Sequence, residues 1–497
     1  MCSTKNCNKD TAVFGFYWCA LALVYCWLRW LEVAGCLVTF KIMAQGLLLV
    51  DPQSSGAVHT VGDLKASPKK AHCFMMPLTI MSTTLICGML LLVCAVTYVG
   101  PFSTIKKVAE LQNGDKVTQR SYAIVFDGGS TGTRIHVFTF LNSTETGLTL
   151  LDEYFQEVKP GLSSYAESPS EAASSIVSLL EKAKTVIPSE CWSGTPLSLK
   201  ATAGLRFLPS HTADAILDEV DKKIKSYPFL VSNDSVSIMD GDDEGIFAWY
   251  TVNFLLGHLS NASHTVVTLD LGGGSTQITF QPTNLDMLVS IPKEYLVKLK
   301  IQEKPAFLYT HSYLGNGLMS ARLSILQSSS SGEKSAHDKT EILRSPCIHP
   351  LIMKSWQHGG MEYLVMGLES GNYGFDACFD RAKTFVGNNI HVAEELKQRP
   401  VYAMSYYYDR AVDSELIDKD DGGVVLVEDF LKAAKKACSS DGNVNMPFLC
   451  LDLTYIASLL YNGFDLNLSK EITLVKKIKT FETSWGLGAA FNLLARV

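Results

Sequence analysis

The sequence predicts an α/β protein whose body is built from two related lobes that face each other. Three features predict it: strands alternating with helices, a strand–loop–strand phrase that occurs twice, and a composition rich enough in apolar residues for a large core. The phrase reads IVFDGGSTGTRIHVFTF over 124–140 and VTLDLGGGSTQITF over 267–280, with Asp127 and Asp270 143 positions apart. Each copy is an apolar run, an Asp, a glycine cluster, Ser-Thr and a second run. The chain has 497 residues, more than one unit at a prior of roughly 150 residues per domain. It is 47% hydrophobic and 19% charged, and its net charge of −7 leaves no basic footprint, which argues against nucleic acid as a partner.

The N-terminus differs from the body. Residues 77–99, PLTIMSTTLICGMLLLVCAVTYV, are uncharged and long enough to cross a membrane as a helix. Lys65, Lys69 and Lys70 precede this stretch and favour a cytosolic start, against Lys106 and Lys107 behind it. A second apolar run at 12–28 reads as another span, a signal-like segment or an inert extension. The expected order is an extension over 1–76, a transmembrane helix over 77–99 and a stalk over 100–120. Lobe I then takes 121–241 with 475–497, and lobe II takes 242–474. Sequons at Asn142, Asn233, Asn261 and Asn467 all follow the span and are glycosylation candidates, which places the body in a lumen or outside the cell. Of thirteen cysteines only Cys191, Cys347, Cys378, Cys438 and Cys450 lie in the body, and none has zinc-site spacing.

Along the body, YAIVF and RIHVFTF read as strands around the first glycine cluster, and 168–187 has helical spacing. PLSLKATAG is a strand ending in a turn, HTADAILDEVDKKIKS a helix and SVSIM a strand. GIFAWYTVNFLLGHL is apolar nearly all round and reads as a buried helix, after which TVVTL opens the second glycine cluster. The tyrosines Tyr406, Tyr407 and Tyr408 read as strand residues that pack in a core or across strands, with contact to a bound ligand's base as the alternative. The Ser/Gly run at 328–338 reads as a surface loop.

A tight hairpin accounts for the glycines alone. It does not account for an Asp before them and Ser-Thr after them in both copies. Glycines let backbone N–H groups form a concave nest for an anion, hydroxyls add donors, and a nearby carboxylate holds a divalent cation directly or through water. Two such loops on facing lobes make a clamp for adjacent phosphates. Neither loop carries a P-loop lysine or the G-x-G-x-x-G spacing. A water attack also needs a base, and DGDDEG at 240–245 crowds acids onto a helix N-terminus. Helix-dipole stabilisation explains one or two of Asp242, Asp243 and Glu244, which leaves one for the cleft.

Five blocks in order resemble one family, the apyrases or ecto-nucleoside triphosphate diphosphohydrolases: IVFDGGSTGTR, LKATAGLRFLP, IMDGDDEGIFAW, LDLGGGSTQITF and TSWGLGAAF. FLCLDLTYI, YAMSYYYDRAVD and HSYLGNGLMSARL look closest to its lumenal nucleoside-diphosphatase branch. The resemblance implies an actin/hexokinase-like fold of two RNase-H-like lobes with the active site in the central cleft. It implies Glu244 as general base, with Ser275 and Gln277 holding the attacking water. It implies Asp127 and Asp270 as carboxylates that bind Mg²⁺ or Ca²⁺ through its water shell, with Trp485 in the outer shell. Gly129, Ser130, Thr131, Arg134, Thr202, Gly273, Gly274 and Thr276 fall in phosphate-contacting blocks. Disulfides Cys347–Cys378 and Cys438–Cys450 are implied, leaving Cys191 unpaired.

The activity implied is hydrolysis of UDP, GDP, IDP and similar diphosphates, with triphosphates weaker, in the ER or Golgi lumen. A secreted form after cleavage and a cell-surface form are variants of that placement. No apolar 20-mer follows GLGAAFNLLARV, as it does in triphosphate-cleaving surface members. The rival readings are an exopolyphosphatase-like or sugar-kinase-like phosphotransfer enzyme on the same fold, and a membrane-tethered scaffold that binds nucleotide without turnover.

Overall fold

A computed structural model describes residues 119–496 apart from 144–146, 285–286, 290, 303, 329–339, 369–372, 388–389 and 440–444. The expected extension, the span at 77–99, most of the stalk and nearly all of the Ser/Gly loop lie outside the described residues. Among the described residues, no helix is long and apolar enough to cross a membrane.

Two sheets carry the body. The first holds β1 (Gln119–Gly128), β2 (Thr133–Ser143), β3 (Gly147–Val158), β4 (Leu197–Ala201) and β5 (Val236–Ile238), in the order β3-β2-β1-β4-β5. The second holds β6 (Val267–Leu271), β7 (Ser275–Phe280), β8 (Leu296–Ile301) and β9 (Lys304–Leu314). It is completed by β13 (Val401–Ser405), β14 (Gly423–Leu426) and β15 (Glu471–Leu474). Its order is β14-β15-β13-β6-β7-β9-β8, so the run β9-β7-β6-β13-β15 repeats the first sheet strand for strand. The directions repeat too: β1 and β6 each pair antiparallel with the next strand and parallel with β4 or β13. The duplicated phrase is therefore the same piece of two like sheets. A third sheet, β10 (Glu341–Ser345), β11 (Met353–His358) and β12 (Met361–Gly367), is attached to the second half. A short hairpin, β16 (Lys477–Ile478) with β17 (Phe481–Glu482), precedes the C-terminal helix.

The helices are α1 (Pro169–Ser175), α2 (Val177–Val186), α3 (Ala203–Arg206), α4 (Ser210–Lys225), α5 (Gly241–Leu256) and α6 (Leu318–Gln327). They continue with α7 (Phe375–Val386), α8 (Tyr406–Asp413), α9 (Val427–Ala437), α10 (Leu449–Ser458) and α11 (Gly486–Leu494). The helix expected over 168–187 breaks at Ile176, where ψ of −6° opens the turn between α1 and α2.

Alternation along the strands fixes what faces the site, because successive side chains leave a strand on opposite faces. In β1, Tyr122, Ile124 and Phe126 join a core with α1, α2 and α4, while Ala123 and Val125 join one with α5 and α11. A strand buried on both faces reads as one continuous apolar run, which is why YAIVF shows no polar alternation. Asp127 falls on the α5 face. In β6, Val267, Leu269 and Leu271 pack with α6, α7 and α10, so Asp270 leaves from the opposite face. The α5 helix lies against both sheets. Its Gly245 is so close to β7 and β9 that a Cβ there would meet Thr279 Oγ1 at 2.6 Å, and Thr251 Oγ1 accepts the Gly488 N–H of α11 at 2.9 Å.

The disulfides Cys347–Cys378 and Cys438–Cys450 are formed, closing separations of 31 and 12 residues. The expectation that Cys191 stays unpaired is wrong: Cys191 is disulfide-bonded. The other four body cysteines pair with each other, so its partner lies outside the described residues.

Candidate active site

The first loop joins β1 to β2. Asp127 pairs in register with Arg134, and Arg134 Nη1 donates to Asp127 Oδ2 at 3.0 Å while Nη2 donates to Glu157 Oε1 at 2.8 Å. This fork turns Asp127 so that Oδ1 is buried with no partner. Gly204 of α3 is pressed against the loop, where a Cβ would stand 2.8 Å from Ser130 Cα.

The second loop joins β6 to β7 and is pinned from behind by the start of α6. The carbonyls of Gly272, Gly273 and Gly274 accept from Leu318 N at 2.9 Å, Met319 N at 2.9 Å and Gly315 N at 2.8 Å. In a trans peptide the N–H points opposite to the carbonyl, so the N–H groups of Gly273 and Gly274 point away from α6 and into the cleft. The two loops touch: a Cβ on Gly273 would lie 2.3 Å from Ser130 Oγ.

They share a cavity of about 540 Å³ whose lining includes Asp127, Gly129, Ser130, Thr131, Arg134, Thr202, Glu244, Asp270, Gly273, Gly274, Ser275 and Trp485. Gln277 stands one strand step behind Ser275. Its Nε2 donates to Ser275 Oγ at 2.8 Å and to Ser312 Oγ at 2.9 Å, leaving Oε1 buried and unpartnered. Thr276 departs from expectation. Strand alternation sends it to the opposite face with Ile278 and Phe280, where its hydroxyl donates to the Asp270 carbonyl at 2.9 Å.

The choice among the acids at α5 is resolved by position. Asp240 caps the helix, accepting Asp242 N at 2.8 Å, and Asp242 accepts Ser312 N at 3.0 Å. Asp243 lines a different cavity. Glu244 is the one in the cleft, 7% exposed, with Oε2 2.9 Å from Arg206 Nη2. Burial pushes its carboxyl up to about 8, Arg206 opposes the shift, and Asp270 and Asp127 add to it. Burial also pushes Asp270 up to about 6, against a hydrogen bond from Ser405 and with Asp127 adding. A buried cavity ringed by three carboxylates disfavours its own ionisation.

That charge balance fits a divalent cation. Asp127 Oδ1 and Asp270 Oδ1 are both buried hard-oxygen donors without a partner, the donor type that Mg²⁺ and Ca²⁺ take. Among the described residues no group of three or more His, Cys, Asp or Glu could hold a metal ion. Two carboxylate oxygens would leave such an ion most of its coordination sites for water.

Several site residues escaped the sequence. Arg206 ends the ATAGLR block but a lone Arg after a turn carries no signal. Ser312 lies on β9, inside HSYLGNGLMSARL but with no role implied by the resemblance. Tyr406 was expected in a strand, yet β13 ends at Ser405 and Tyr406 opens α8, lining the cleft together with Thr131, while Tyr407 and Tyr408 are buried. A second cavity of about 1000 Å³ opens off the same loops through Ser130, Thr131 and Gly274, walled by Met319, Arg322 and Trp356.

Similar proteins are known. The chain is 46% identical over 377 residues to human nucleoside diphosphate phosphatase ENTPD5, covering 75% of this chain and 87% of that one. It is 45% identical over 376 residues to human ectonucleoside triphosphate diphosphohydrolase 6, covering 75% and 77%. A crystal structure of nucleoside triphosphate hydrolases from Neospora caninum superposes with a TM-score of 0.56 at 15% identity, covering 80% of this chain and 97% of that one, a likeness of fold. The GDA1/CD39 (nucleoside phosphatase) family matches residues 114–497, and the chain belongs to that family.

Proposed function

We propose that this chain hydrolyses nucleoside diphosphates to monophosphate and phosphate, using a water activated by Glu244. The observation that carries the reading is the single cavity that joins both glycine loops, Asp127, Asp270 and Glu244. The relatives named as nucleoside diphosphate phosphatase and triphosphate diphosphohydrolase support the substrate class. An actin/hexokinase-like reading, with lobe I as 121–241 plus 475–497 and lobe II as 242–474, fits the repeated sheet order.

In this reading the N–H groups of Gly273 and Gly274 and the hydroxyls of Ser130 and Thr131 hold neighbouring phosphates. A divalent cation, Mg²⁺ or Ca²⁺, held through water by Asp127 and Asp270 with Trp485 nearby, would offset the phosphate charge. Gln277 Oε1 accepts one hydrogen of the attacking water and the Ser275 hydroxyl donates to its oxygen, so the other hydrogen faces Glu244. Glu244 takes its proton as the oxygen closes on the terminal phosphorus. The bond from that phosphorus to the bridging oxygen breaks, and the monophosphate leaves with the electron pair. Arg206 keeps the ionised form of Glu244 accessible against burial. Arg134 holds Asp127 and Thr202 closes the loop from below.

The nucleoside fits the adjoining larger cavity. There Arg322 is held flat by two bonds to Asp452, at 3.0 and 2.6 Å, and lies over the Trp356 ring, on which His358 is stacked. Trp356→Ala raises KM for nucleotide about 5- to 10-fold, the scale of one base–aromatic stack, with kcat nearly unchanged; steady-state kinetics on UDP and GDP check this. Phosphate release from UDP, GDP, IDP, ADP, ATP and polyphosphate, with and without EDTA, tests the function itself. Release from diphosphates that EDTA abolishes is expected; binding without release, or release from polyphosphate alone, would replace this reading with a rival.

We also propose a type II protein anchored by 77–99, with its body in the ER or Golgi lumen. The exposed sequon residues Asn142, Asn233, Asn261 and Asn467 suit glycosylation. Glycosidase digestion of the membrane-bound full-length chain decides: a mass loss at these sequons fits the lumenal body, and unmodified sequons overturn it.

A further inference from the structure

We infer that Ser405 is a positioning residue whose strained backbone turn is kept for the reaction, because it ties Asp270 of one loop and Thr131 of the other to the same corner of the cleft. The inference rests on the hydrolase reading above. Ser405 ends β13 with φ 57° and ψ −125°. That ψ lies outside the left-handed helical well, in a region that only glycine enters freely. Of the five non-glycine residues with positive φ among the described residues, Ser405 is the one that lines the cleft.

The turn has two consequences. In the parallel pairing of β13 with β6, Met404 stands beside Asp270 and Ser405 beside Leu271. Leaving the strand at that step sets Ser405 beside Asp270 in the cleft lining, where its hydroxyl favours the ionised carboxylate, whose Oδ1 stays without a partner. The same turn starts α8 one residue later, so Tyr406 enters the cleft whose lining also holds Thr131. A glycine would make this turn at no steric cost. A serine there keeps the strain and gains a hydroxyl, and sites of retained strain of this kind cluster at functional centres.

The test uses the full chain with Ser405→Gly and Ser405→Ala. Without nucleotide or cation, Ser405→Gly is expected to raise Tm by about 1–3 °C by relieving the turn, and Ser405→Ala is not. Both are expected to lower kcat about 10- to 100-fold, the scale of one hydrogen bond to a charged group. Both should raise the Mg²⁺ concentration needed for half-maximal rate and leave KM for UDP within about threefold. Wild-type kcat in either variant overturns the inference, as does a Tm for Ser405→Gly no higher than that of Ser405→Ala. A wild-type chain that releases no phosphate would sink the hydrolase reading instead, and the two Tm values would still decide whether the turn is strained.

Discussion

Glu244→Gln yields a folded chain that binds nucleotide with nearly unchanged affinity and releases phosphate at least about 10²-fold more slowly, the loss expected for a removed general base. The amide keeps the volume of the side chain and still accepts from Arg206, 2.9 Å away in the parent, but it takes no proton from water. The pH profile separates this role from a structural one. Only ionised Glu244 acts as a base, so kcat/KM of the parent rises with pH through a value between the ordinary 4.5 and about 8, the position set by burial against Arg206. That limb disappears in the residual activity of the variant. Stability moves the other way. The folded carboxyl sits above its ordinary value, so the fold favours the protonated form. The stability it contributes is present below about 4.5 and is lost as pH rises through about 8. The Tm of Glu244→Gln minus that of the parent therefore grows between pH 5 and pH 9 in cation-free buffer. A flat difference would mean that Glu244 does not titrate there, and full activity would return the search to Asp242 and Asp243.

Gly317→Ala has the second large effect, although residue 317, inside HSYLGNGLMSARL, has no role implied by the resemblance. A Cβ there would stand 2.3 Å from Ser275 N and 2.5 Å from the carbonyl carbons of Gly273 and Gly274. All three are backbone atoms, so the second loop has to move. The bonds from Leu318 and Met319 that orient the loop carbonyls are lost or lengthened with it. Overpacking of this kind costs about 1–3 kcal/mol of stability. Misaligned loop N–H groups cost about 10²-fold in kcat, as for a removed anion-hole donor. Gly204→Ala, which meets Ser130 Cα at 2.8 Å, is the counterpart on the first loop. Denaturant melts and single-turnover rates check both. A Gly317→Ala chain with parental kcat would show that the loop carbonyls are not what orients the site.

The strands β1 and β6 and the helix α5 were legible because their burial on every side writes long apolar runs. The paired loops were legible because the same short phrase was needed twice. What was hidden is long-range or local to one backbone angle. Arg206 reaches Glu244 across 38 positions and Ser312 reaches Gln277 across 35, separations that no spacing rule covers. Thr276 shares its block with Ser275 and Gln277, and only the strand assignment shows it on the other face. Tyr406 leaves the strand reading because Ser405 takes a positive φ, an angle that a serine does not announce. The bond at Cys191 carries no signal in the body, where the other four cysteines pair with each other.

The most direct measurement is a single turnover of UDP in ¹⁸O-enriched water with the full-length chain, followed by mass analysis of both products. One ¹⁸O in inorganic phosphate and none in UMP is the predicted result, since water attacks the terminal phosphorus held between the loops. Label in UMP, or label in phosphate at the parental rate in Glu244→Gln, would contradict the account.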